Sequence, residues 1–459
     1  MTNGYKSHQE YTCYLLVETA LLYDIWEMIY MHKPLSKILP KLFIITLLGF
    51  GVLNTITGCT TNPVTGKKEL SLVSTGQELS IGEQQYKPSQ QSQGGSYTID
   101  PSLNRYVNNI GQKLAKLSGQ PNLPYEFVVL NNDVPNAWAL PGGKIAINRG
   151  LLVLLEDEAQ LAAVLGHEVV HAATRHGASQ MSQGMLLQLG TQVIGQASGN
   201  NAYSQIAGLG ASALQARYGR SQELEADYYG IDYMVKAGYD PQAAVELQQT
   251  FLRLSQDSSQ GNWLDSLFAS HPPSAERVQK NQERAARLPK GKRNKAAYQK
   301  AIKQILADKE AYATHEKALA DAKKKSWKSA LALTDKAIKQ QPKEARFHIT
   351  KGRLLNEMEK GKDAIKVFNQ ATKLEPTYFA GFFYRGLTQR ELKNTKAAEK
   401  DLIKSNTLLE TGVANYYLGE IALSNDKRAS AINYYKRAAQ GGGEVGKAAA
   451  IKLQSLGVK

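Results

Sequence analysis

The second half of the sequence contains a 34-residue period, which constrains the fold more strongly than any other feature. Small residues recur at this spacing in three registers: Ala318, Gly352, Gly386 and Gly419; Ala330, Ala364, Ala398 and Ala431; and Ala337, Ala371, Ser405 and Ala438. Small side chains are needed where two helices cross closely, and a unit this short cannot bury its apolar face alone. Residues 311–459 are therefore predicted to form stacked helix pairs that share one continuous core.

This period, with Pro342 and Pro376 closing two of the units, is the signature of the tetratricopeptide (TPR) repeat. It predicts an all-α TPR solenoid of about four repeats, with residues 445–456 as a capping helix. Such solenoids bind peptides or protein partners on a concave surface. Basic side chains that could meet carboxylates there are Arg346, Arg385 and Arg390, although each alone is more typical of a solvated surface charge.

The first half of the chain contains the pattern H-E-V-V-H at residues 167–171, inside an uncharged, helix-favouring run. Residues four apart lie on one face of an α-helix, so His167 and His171 can present two imidazole nitrogens to one metal ion. Glu168 lies next to the first histidine, where its carboxylate can reach a metal-bound water without binding the metal. A buried helix with satisfied histidines could show the same pattern, so the metal site needs support from elsewhere in the chain.

Residues 218–232 supply a candidate for the missing protein ligand. Helical spacing puts Glu223 and Asp227 one turn apart on a single face, and Ala226 leaves room for a second helix to approach. A glutamate that completes a two-histidine site leaves the fourth position of a zinc ion open for water, as catalysis requires. Asp227 is well placed to accept a hydrogen bond from the other nitrogen of a ligand histidine. Taken alone, this segment would be interpreted as a solvated acidic helix face.

Together, these two stretches resemble the zinc metallopeptidase family that includes the bacterial heat-shock protease HtpX and the eukaryotic CAAX prenyl protease. The resemblance covers roughly residues 76–287 and implies one zinc ion per chain, held by His167, His171 and Glu223, with Glu225 in no such role. It implies an α+β fold, in which a mainly helical, gluzincin-type protease domain has a small antiparallel sheet. Unlike HtpX, this chain lacks long apolar spans, so residues 181–214 are predicted to form a lid or helical insert and not a membrane anchor.

A predicted β-hairpin lies directly upstream of the H-E-V-V-H helix, with the turn Pro-Gly-Gly at residues 141–143. In such proteases an edge strand can hold an extended peptide through main-chain hydrogen bonds. An ordinary structural hairpin explains the same residues about as well. The candidate substrate-binding residues are Asn136, Ala137, Trp138, Gly142 and Gly143.

The segment S-H-P-P at residues 270–273 is similar to one that lies over the active site in periplasmic, BepA-like members of that family. The resemblance implies that His271 either occupies the open zinc position and inhibits the enzyme, or donates a hydrogen bond to the oxyanion of the reaction. The sequence leaves both roles open, and a loop histidine ordered by its neighbours is a third alternative. Arg277 is a weaker candidate, with a structural ion pair as the alternative.

The N-terminal region resembles an export signal that begins at Met31. A basic start precedes an apolar run over residues 42–53 and the sequence I-T-G-C, which resembles a bacterial lipobox with Cys59 as the acylated residue. The absence of aspartate after Cys59 favours the outer membrane by analogy. The chain is therefore expected in the periplasm of a Gram-negative bacterium, lipid-anchored to the outer membrane. A soluble periplasmic protein whose signal ends near a cysteine is the alternative.

Charge and cysteine content limit the partners further. The net charge of +15 comes from residues 280–459, whereas residues 59–279 are slightly acidic. This basic half favours acidic proteins or an anionic membrane surface, and nucleic acid is not an expected partner of an exported protein. With only two cysteines, a disulfide framework is unexpected and cysteine-rich zinc sites are excluded.

The predicted organisation is a signal region (1–58), a lipoprotein tether (59–95), a protease domain (96–290), a connector (291–310) and the TPR domain (311–459). The resemblance implies an exported zinc endopeptidase of cell-envelope quality control, which degrades misfolded or stalled outer-membrane proteins. Its TPR repeats would bind protein or peptide substrates or the outer-membrane protein assembly machinery. The alternative is a periplasmic chaperone or adaptor that acts mainly through its TPR domain, with little proteolysis.

Overall fold

The computed structural model describes residues 59–194, 218–256 and 265–458. The predicted signal region, the start at Met31 and residues 195–214 of the predicted insert lie outside the described residues. The chain divides into two compact units, residues 1–60 and 61–459, and apart from residues 59 and 60 the architecture below belongs to the second. Cys59 begins the first described strand. Within the described ranges, no helix combines the length and apolar character that a membrane span requires.

The N-terminal part of this unit is mainly helical, with a few short strands. Its strands are β1 (Cys59–Thr61), β2 (Lys68–Leu70), β3 (Glu126–Leu130), β4 (Ala137–Leu140) and β5 (Lys144–Asn148). Its helices are α1 (Thr75–Ser92), α2 (Pro101–Ala115), α3 (Arg149–Leu152), α4 (Glu158–Ala173), α5 (His176–Ile194), α6 (Arg220–Lys236), α7 (Gln242–Gln256), α8 (Asp265–Ser270), α9 (Ala275–Ala285), α10 (Lys295–Ala301) and α11 (Lys303–Ala307).

Strands β3, β5 and β4 form one sheet in that order, and the sheet is mixed. β4 pairs antiparallel with β5, as the hairpin signal predicted, but β3 pairs parallel with β5. The prediction of an antiparallel sheet is therefore correct only for the hairpin. The hairpin is encoded locally, because Gly142 and Gly143 supply φ angles of +76° and +82° at its turn. The partner of β3 depends instead on distant packing, in which the Phe127 ring lies directly against Gly111 of α2.

Helix α4 runs through the centre of the N-terminal part, and all of its residues are buried. It begins at Asp157, whose side chain accepts a hydrogen bond from the backbone N–H of Gln160 over 2.9 Å. Helices α4 and α6 approach each other closely at Gly166 and Gly230, where a Cβ added to either glycine would lie 3.0 Å from the backbone of the opposite helix. This close approach lets side chains of the two helices share one site.

Most of the predicted tether is folded onto the sheet. Ser74 begins α1 with a capping box, and Tyr86 on that helix donates a hydrogen bond to the carbonyl of Ile145 over 2.8 Å. On the same helix, the buried Glu78 forms an ion pair with Arg175. The tether prediction followed from the polar composition of residues 59–95, which conceals the few side chains that α1 buries.

The predicted connector is also part of the N-terminal core. Tyr298, Ile302 and Ile305 are fully buried in the same apolar cluster as α4. The hydroxyl of Tyr298 donates a hydrogen bond to the carbonyl of Leu152. The abundance of lysine and arginine in residues 291–310 predicted a helical connector. The lysines of this segment are exposed, whereas Arg293 pairs with Asp157 and Glu246.

The C-terminal part consists of four helix pairs and one final helix. The pairs are α12 (Lys309–Lys323) with α13 (Trp327–Gln340), α14 (Ala345–Glu357) with α15 (Gly361–Leu374), α16 (Phe379–Glu391) with α17 (Thr395–Leu408), and α18 (Gly412–Ser424) with α19 (Arg428–Gln440), followed by α20 (Gly443–Ser455). The repeated small residues lie at the crossings, as at Gly352, where an added Cβ would be 2.4 Å from the Phe368 ring. This is a TPR solenoid.

A group of polar contacts, which we call the interdomain clasp, joins the solenoid to the end of β3. Asn131 donates to the Glu344 carboxylate over 2.8 Å, and Tyr312 donates to the same carboxylate over 2.6 Å. Arg149 donates to the Asn131 side chain over 2.9 Å and lies over the Tyr312 ring. Arg346 donates to the Asn131 carbonyl. The clasp therefore uses Arg346 internally, so this arginine is neither the solvated surface charge nor the free partner for a bound carboxylate that the sequence left as alternatives.

The other two basic residues predicted for the solenoid surface also have internal partners. Arg385 holds Asp401 through two hydrogen bonds of 2.7 Å. The guanidinium of Arg390 lies 3.9 Å from the centre of the Tyr417 ring, but the residue is exposed. Of the three arginines, only Arg390 keeps an exposed charge that a bound carboxylate could reach.

Candidate metal centre

Four buried side chains from three separate segments converge on one point. His167 and His171 come from α4, Glu223 comes from α6, and His271 follows α8. Their candidate ligand atoms all lie within 4.8 Å of one another. The Nε2 atoms of His167 and His171 are 3.0 Å apart, and Glu223 Oε1 lies 3.3 Å from His171 Nε2 and 3.1 Å from His271 Nδ1. The structure thus brings together the three predicted ligands and adds His271 to them.

The chemistry of these four groups fits a divalent metal ion. Nitrogen and oxygen lone pairs that face one another in a buried site require either extra protons or a cation between them. Imidazole and carboxylate are ligands that zinc and related transition metals prefer. The site can therefore hold a metal ion through His167, His171 and Glu223, with His271 as a fourth donor.

Asp227 and Arg277 contact the candidate ligands His167 and Glu223. The Asp227 carboxylate lies 2.9 Å from His167 Nδ1, and two nitrogens of Arg277 each donate to this carboxylate over 2.7 Å. A third nitrogen of Arg277 lies 2.6 Å from Glu223 Oε2. Burial alone would raise the pKa of Asp227, but the Arg277 guanidinium outweighs it and lowers that pKa. Arg277 is thus an ion-pair residue, as the alternative interpretation held, but it pairs with two groups of the site.

Glu168 lies beside the four donors and is almost fully buried. Its Oε1 atom is 3.6 Å from His271 Nε2, and its Oε2 atom has no hydrogen-bond partner within the described part of the chain. Burial raises the pKa of the Glu168 carboxyl. A raised pKa suits a carboxylate that must take up a proton near neutral pH.

The segment that carries His271 covers the site. The backbone N–H of His271 donates to Leu267 in α8 over 2.8 Å, and Ser274 caps α9 at the other end of the segment. Arg277 also donates to the Pro272 carbonyl over 3.2 Å. The remaining pocket beside His167 and Glu168 has a volume of about 40 Å³. Among the described residues, this is room for roughly two or three water molecules.

Only one of the predicted substrate-binding residues lines this pocket. Ala137 does so, whereas Trp138 points to the other face of the sheet, where it packs edge-on against Tyr86. Gly142 and Gly143 form the hairpin turn and pack against α1 and Tyr125, away from the metal ligands. Trp138 differs from Ala137 because successive side chains of a strand point to opposite faces, whereas the two glycines lie in the turn.

Asn136 is the remaining predicted substrate-binding residue. It precedes β4, and its carbonyl accepts a hydrogen bond from the Asn148 backbone over 2.8 Å. All four residues of β4 are buried. Peptide pairing along β4 remains a proposal that would require the residues covering this strand to move.

Three residues that the sequence did not single out as functional surround His171. The ring of Tyr218 stacks on that of His171 with centroids 3.7 Å apart. His176 places its Nδ1 atom 2.8 Å from His171 Nδ1, and Glu225 lies 3.4 Å from the other nitrogen of His176. The sequence signal that could have pointed to His176 was the pair Arg175-His176, directly after the H-E-V-V-H helix. In the structure, Arg175 has a φ of +61°, and this left-handed residue separates α4 from α5.

A buried helix carrying H-E-x-x-H, faced by a helix that supplies a glutamate, defines a metallopeptidase site. Comparison with known proteins gives the same class, since the model of peptidase family M48 matches residues 101–285. The metalloprotease YcaL of Escherichia coli (strain K12) is 31% identical over 179 residues, which cover 38% of this chain and 68% of that protein. The chain belongs to peptidase family M48.

Longer relatives match over a smaller share of their own length. The beta-barrel assembly-enhancing protease of Escherichia coli (strain K12) is 30% identical over 223 residues, which are 46% of this chain and 43% of that protein. The mitochondrial metalloendopeptidase OMA1 of Schizosaccharomyces pombe is 30% identical over 227 residues, covering 48% and 65% respectively. The match spans less than half the length of the beta-barrel assembly-enhancing proteases.

Proposed function

We propose that the protein is an exported, zinc-dependent endopeptidase that acts on proteins of the cell envelope. One observation carries this proposal: His167, His171 and Glu223 converge in a buried site, with Glu168 beside them. Membership of peptidase family M48 supports the reaction class. The donor set of two imidazoles and one carboxylate supports zinc as the metal.

In this proposal each residue of the site has a distinct role. His167, His171 and Glu223 hold zinc, which supplies Lewis acidity toward a water molecule and the scissile carbonyl. Glu168 accepts the proton of the attacking water and passes it to the leaving amine. Asp227 accepts the hydrogen bond from His167 Nδ1 and so directs Nε2 toward the metal.

We assign His271 to a removable fourth ligand that closes the site at rest. Its Nδ1 atom lies 3.2 Å from His167 Nε2, among the atoms of the other ligands, and its segment restricts the pocket. The alternative role, donation to the oxyanion, would use its Nε2 atom, which faces Glu168. A peptide would gain access to the site when the segment moves away.

Replacing His271 with alanine separates the two roles. If His271 is an inhibitory ligand, His271→Ala raises the initial rate of cleavage of an unfolded model protein at unchanged zinc content. If it donates to the oxyanion, the rate falls by about 10²–10³-fold. His348→Ala is the control, because His348 is a partly exposed histidine of the solenoid whose ring contacts only the Pro342 carbonyl among the hydrogen bonds of the described residues, and its rate should match the wild type. A lowered rate for His271→Ala would overturn the inhibitory role.

Metal removal tests the enzyme assignment itself. Treatment of the full chain with a strong chelator is expected to abolish cleavage of an unfolded protein, and equimolar Zn²⁺ is expected to restore it. The metal-free protein should also unfold at a lower temperature, because an ion that binds only the folded state stabilises that state. Fragment analysis by mass spectrometry checks cleavage within the chain. Cleavage that persists in metal-free protein would contradict the proposal.

The cellular setting is part of the same proposal. The lipobox-like sequence supports export with a lipid anchor at Cys59, and the relatives named beta-barrel assembly-enhancing proteases support action at the outer membrane. The TPR solenoid supports recognition of substrate segments or of outer-membrane protein assembly machinery. The substrates would be misfolded or stalled outer-membrane proteins in the periplasm of a Gram-negative bacterium.

A further inference from the structure

We propose that His176, with the Glu225 carboxylate beside it, orients His171 toward the metal, as Asp227 orients His167. The inference rests on the metal site of the proposed function and adds two positioning residues to it. Neither residue is close enough to the other donors to belong to the four-donor group. His176 contacts the Nδ1 atom of His171, whereas His167 contacts its Nε2 atom.

Successive side-chain contacts lead from the candidate ligand His171 to Lys67 at the surface. His171 Nε2 faces the other ligands, 3.0 Å from His167 Nε2 and 3.3 Å from Glu223 Oε1. Its Nδ1 atom lies 2.8 Å from His176 Nδ1, and His176 Nε2 lies 3.4 Å from Glu225 Oε1. The outermost of these contacts is made by Lys67, whose ammonium group is 3.4 Å from Glu225 Oε2.

The protonation pattern follows from these atoms. A histidine that binds metal through Nε2 carries its proton on Nδ1, so His171 must donate to its neighbour. His176 Nδ1 must then accept, which leaves Nε2 as the protonated nitrogen of this ring, 3.4 Å from Glu225 Oε1. The His171–His176 contact thus links the tautomers of the two rings. Ligand histidines that lose such a partner typically lose 10–100-fold in metal affinity.

The surroundings make this arrangement rigid. His171 and His176 are almost completely buried, and the Tyr218 ring stacks on the face of His171. The left-handed backbone at Arg175 places His176 at the start of α5, and Arg175 itself donates to the Val73 carbonyl over 3.0 Å. His176 is therefore held by its own backbone in the position that His171 requires.

Two substitutions at residue 176 test the hydrogen bond apart from the packing. We expect His176→Phe, which keeps a ring but has no acceptor, to weaken zinc binding by about 10–100-fold in chelator competition. His176→Asn should bind zinc within a few-fold of the wild type, because its amide oxygen can accept from His171 Nδ1. Glu225→Gln should have a smaller effect than His176→Phe, since the 3.4 Å contact is long for a hydrogen bond.

A matched control separates metal positioning from general damage to the core. His315 is a buried histidine of the solenoid that contacts Thr350 over 2.8 Å, so His315→Phe should lower stability without changing zinc affinity. The Co²⁺-substituted proteins provide a second readout, because a misoriented ligand in His176→Phe should shift the visible absorption bands. These bands should stay at the wild-type position in His176→Asn.

Two results would overturn the inference. One is wild-type zinc affinity in His176→Phe. The other is an equal loss of affinity in His176→Asn and His176→Phe, together with lowered unfolding temperatures of both metal-free proteins, which would make His176 a packing residue only. If the wild-type chain itself binds no zinc, the proposed function fails instead, and this outcome is visible before any variant is compared.

Discussion

Replacing Glu168 with glutamine is expected to slow protein cleavage by about 10²–10⁴-fold, the usual contribution of a general base. The substitution preserves shape and removes only the ability to carry the proton. Zinc content should be unchanged, because Glu168 is not among the four converging donors. Stability should be equal or higher, because burial disfavours the charged carboxylate. Cleavage rates, elemental analysis and thermal unfolding measure the three quantities.

Glu158→Gln is a matched control for this variant. Glu158 is a buried glutamate in the first turn of the same helix, where it accepts from Tyr239 over 2.9 Å and from Asn294 over 2.7 Å. Its substitution should destabilise the protein by about 1–3 kcal/mol through mismatched hydrogen bonds, with no loss in the rate constant of the folded protein. A Glu168→Gln protein that cleaves at the wild-type rate would remove Glu168 from the proposed reaction.

The same Glu168→Gln protein separates the peptidase from the adaptor hypothesis. In cells, a peptidase role predicts that stalled outer-membrane proteins accumulate when this variant replaces the wild type. An adaptor acting through the TPR solenoid predicts normal envelope assembly, because all four helix pairs are unaltered. Full cellular activity of a variant that retains zinc would rule out proteolysis as the physiological function.

Arg277→Leu is expected to destabilise the metal-free protein by about 3–5 kcal/mol. Arg277 is buried and compensates two carboxylates, Asp227 and Glu223, which would be left without their cation. Bound zinc would neutralise part of this charge, so the loss should be smaller in the zinc-loaded protein. Denaturant unfolding with and without zinc measures the difference, and an equal loss in both forms would contradict the linkage to the metal site.

Arg385→Leu provides the comparison for Arg277→Leu. Arg385 holds Asp401 with the same pair of 2.7 Å contacts, but it lies in the solenoid and is partly exposed. Its loss should cost less free energy, because a partly exposed ion pair is weakened by solvent. The cost should also be the same with and without zinc, since no metal ligand contacts this pair.

Local patterns were enough to predict the features that depend on helical spacing. His167 and His171 follow from the four-residue spacing of one helix, and the structure brings them together with Glu223. The solenoid also follows from a period, because each repeat contacts mainly its neighbours. The opposite directions of Ala137 and Trp138 were available from strand alternation, although the sequence interpretation grouped both residues in one substrate-binding set.

Features that depend on distant contacts were not predictable in the same way. The parallel pairing of β3 with β5 and the burial of Tyr298 are decided by packing between segments far apart in the sequence. The link from His171 through His176 to Glu225 requires the left-handed residue Arg175 and the approach of α6. No single-sequence period encodes such contacts, because each depends on the final positions of several elements.

The interdomain clasp has a consequence for which substrates can be cleaved. Its buried contacts among Asn131, Glu344 and Tyr312 oppose swinging of the solenoid away from the sheet. In the proposed peptidase, a protein held on the solenoid reaches the metal only through an unfolded segment long enough to span a fixed gap, at no more than about 3.3–3.6 Å per residue. The length of the unfolded segment of the bound protein, more than the sequence around the scissile bond, would then decide whether that protein is cleaved.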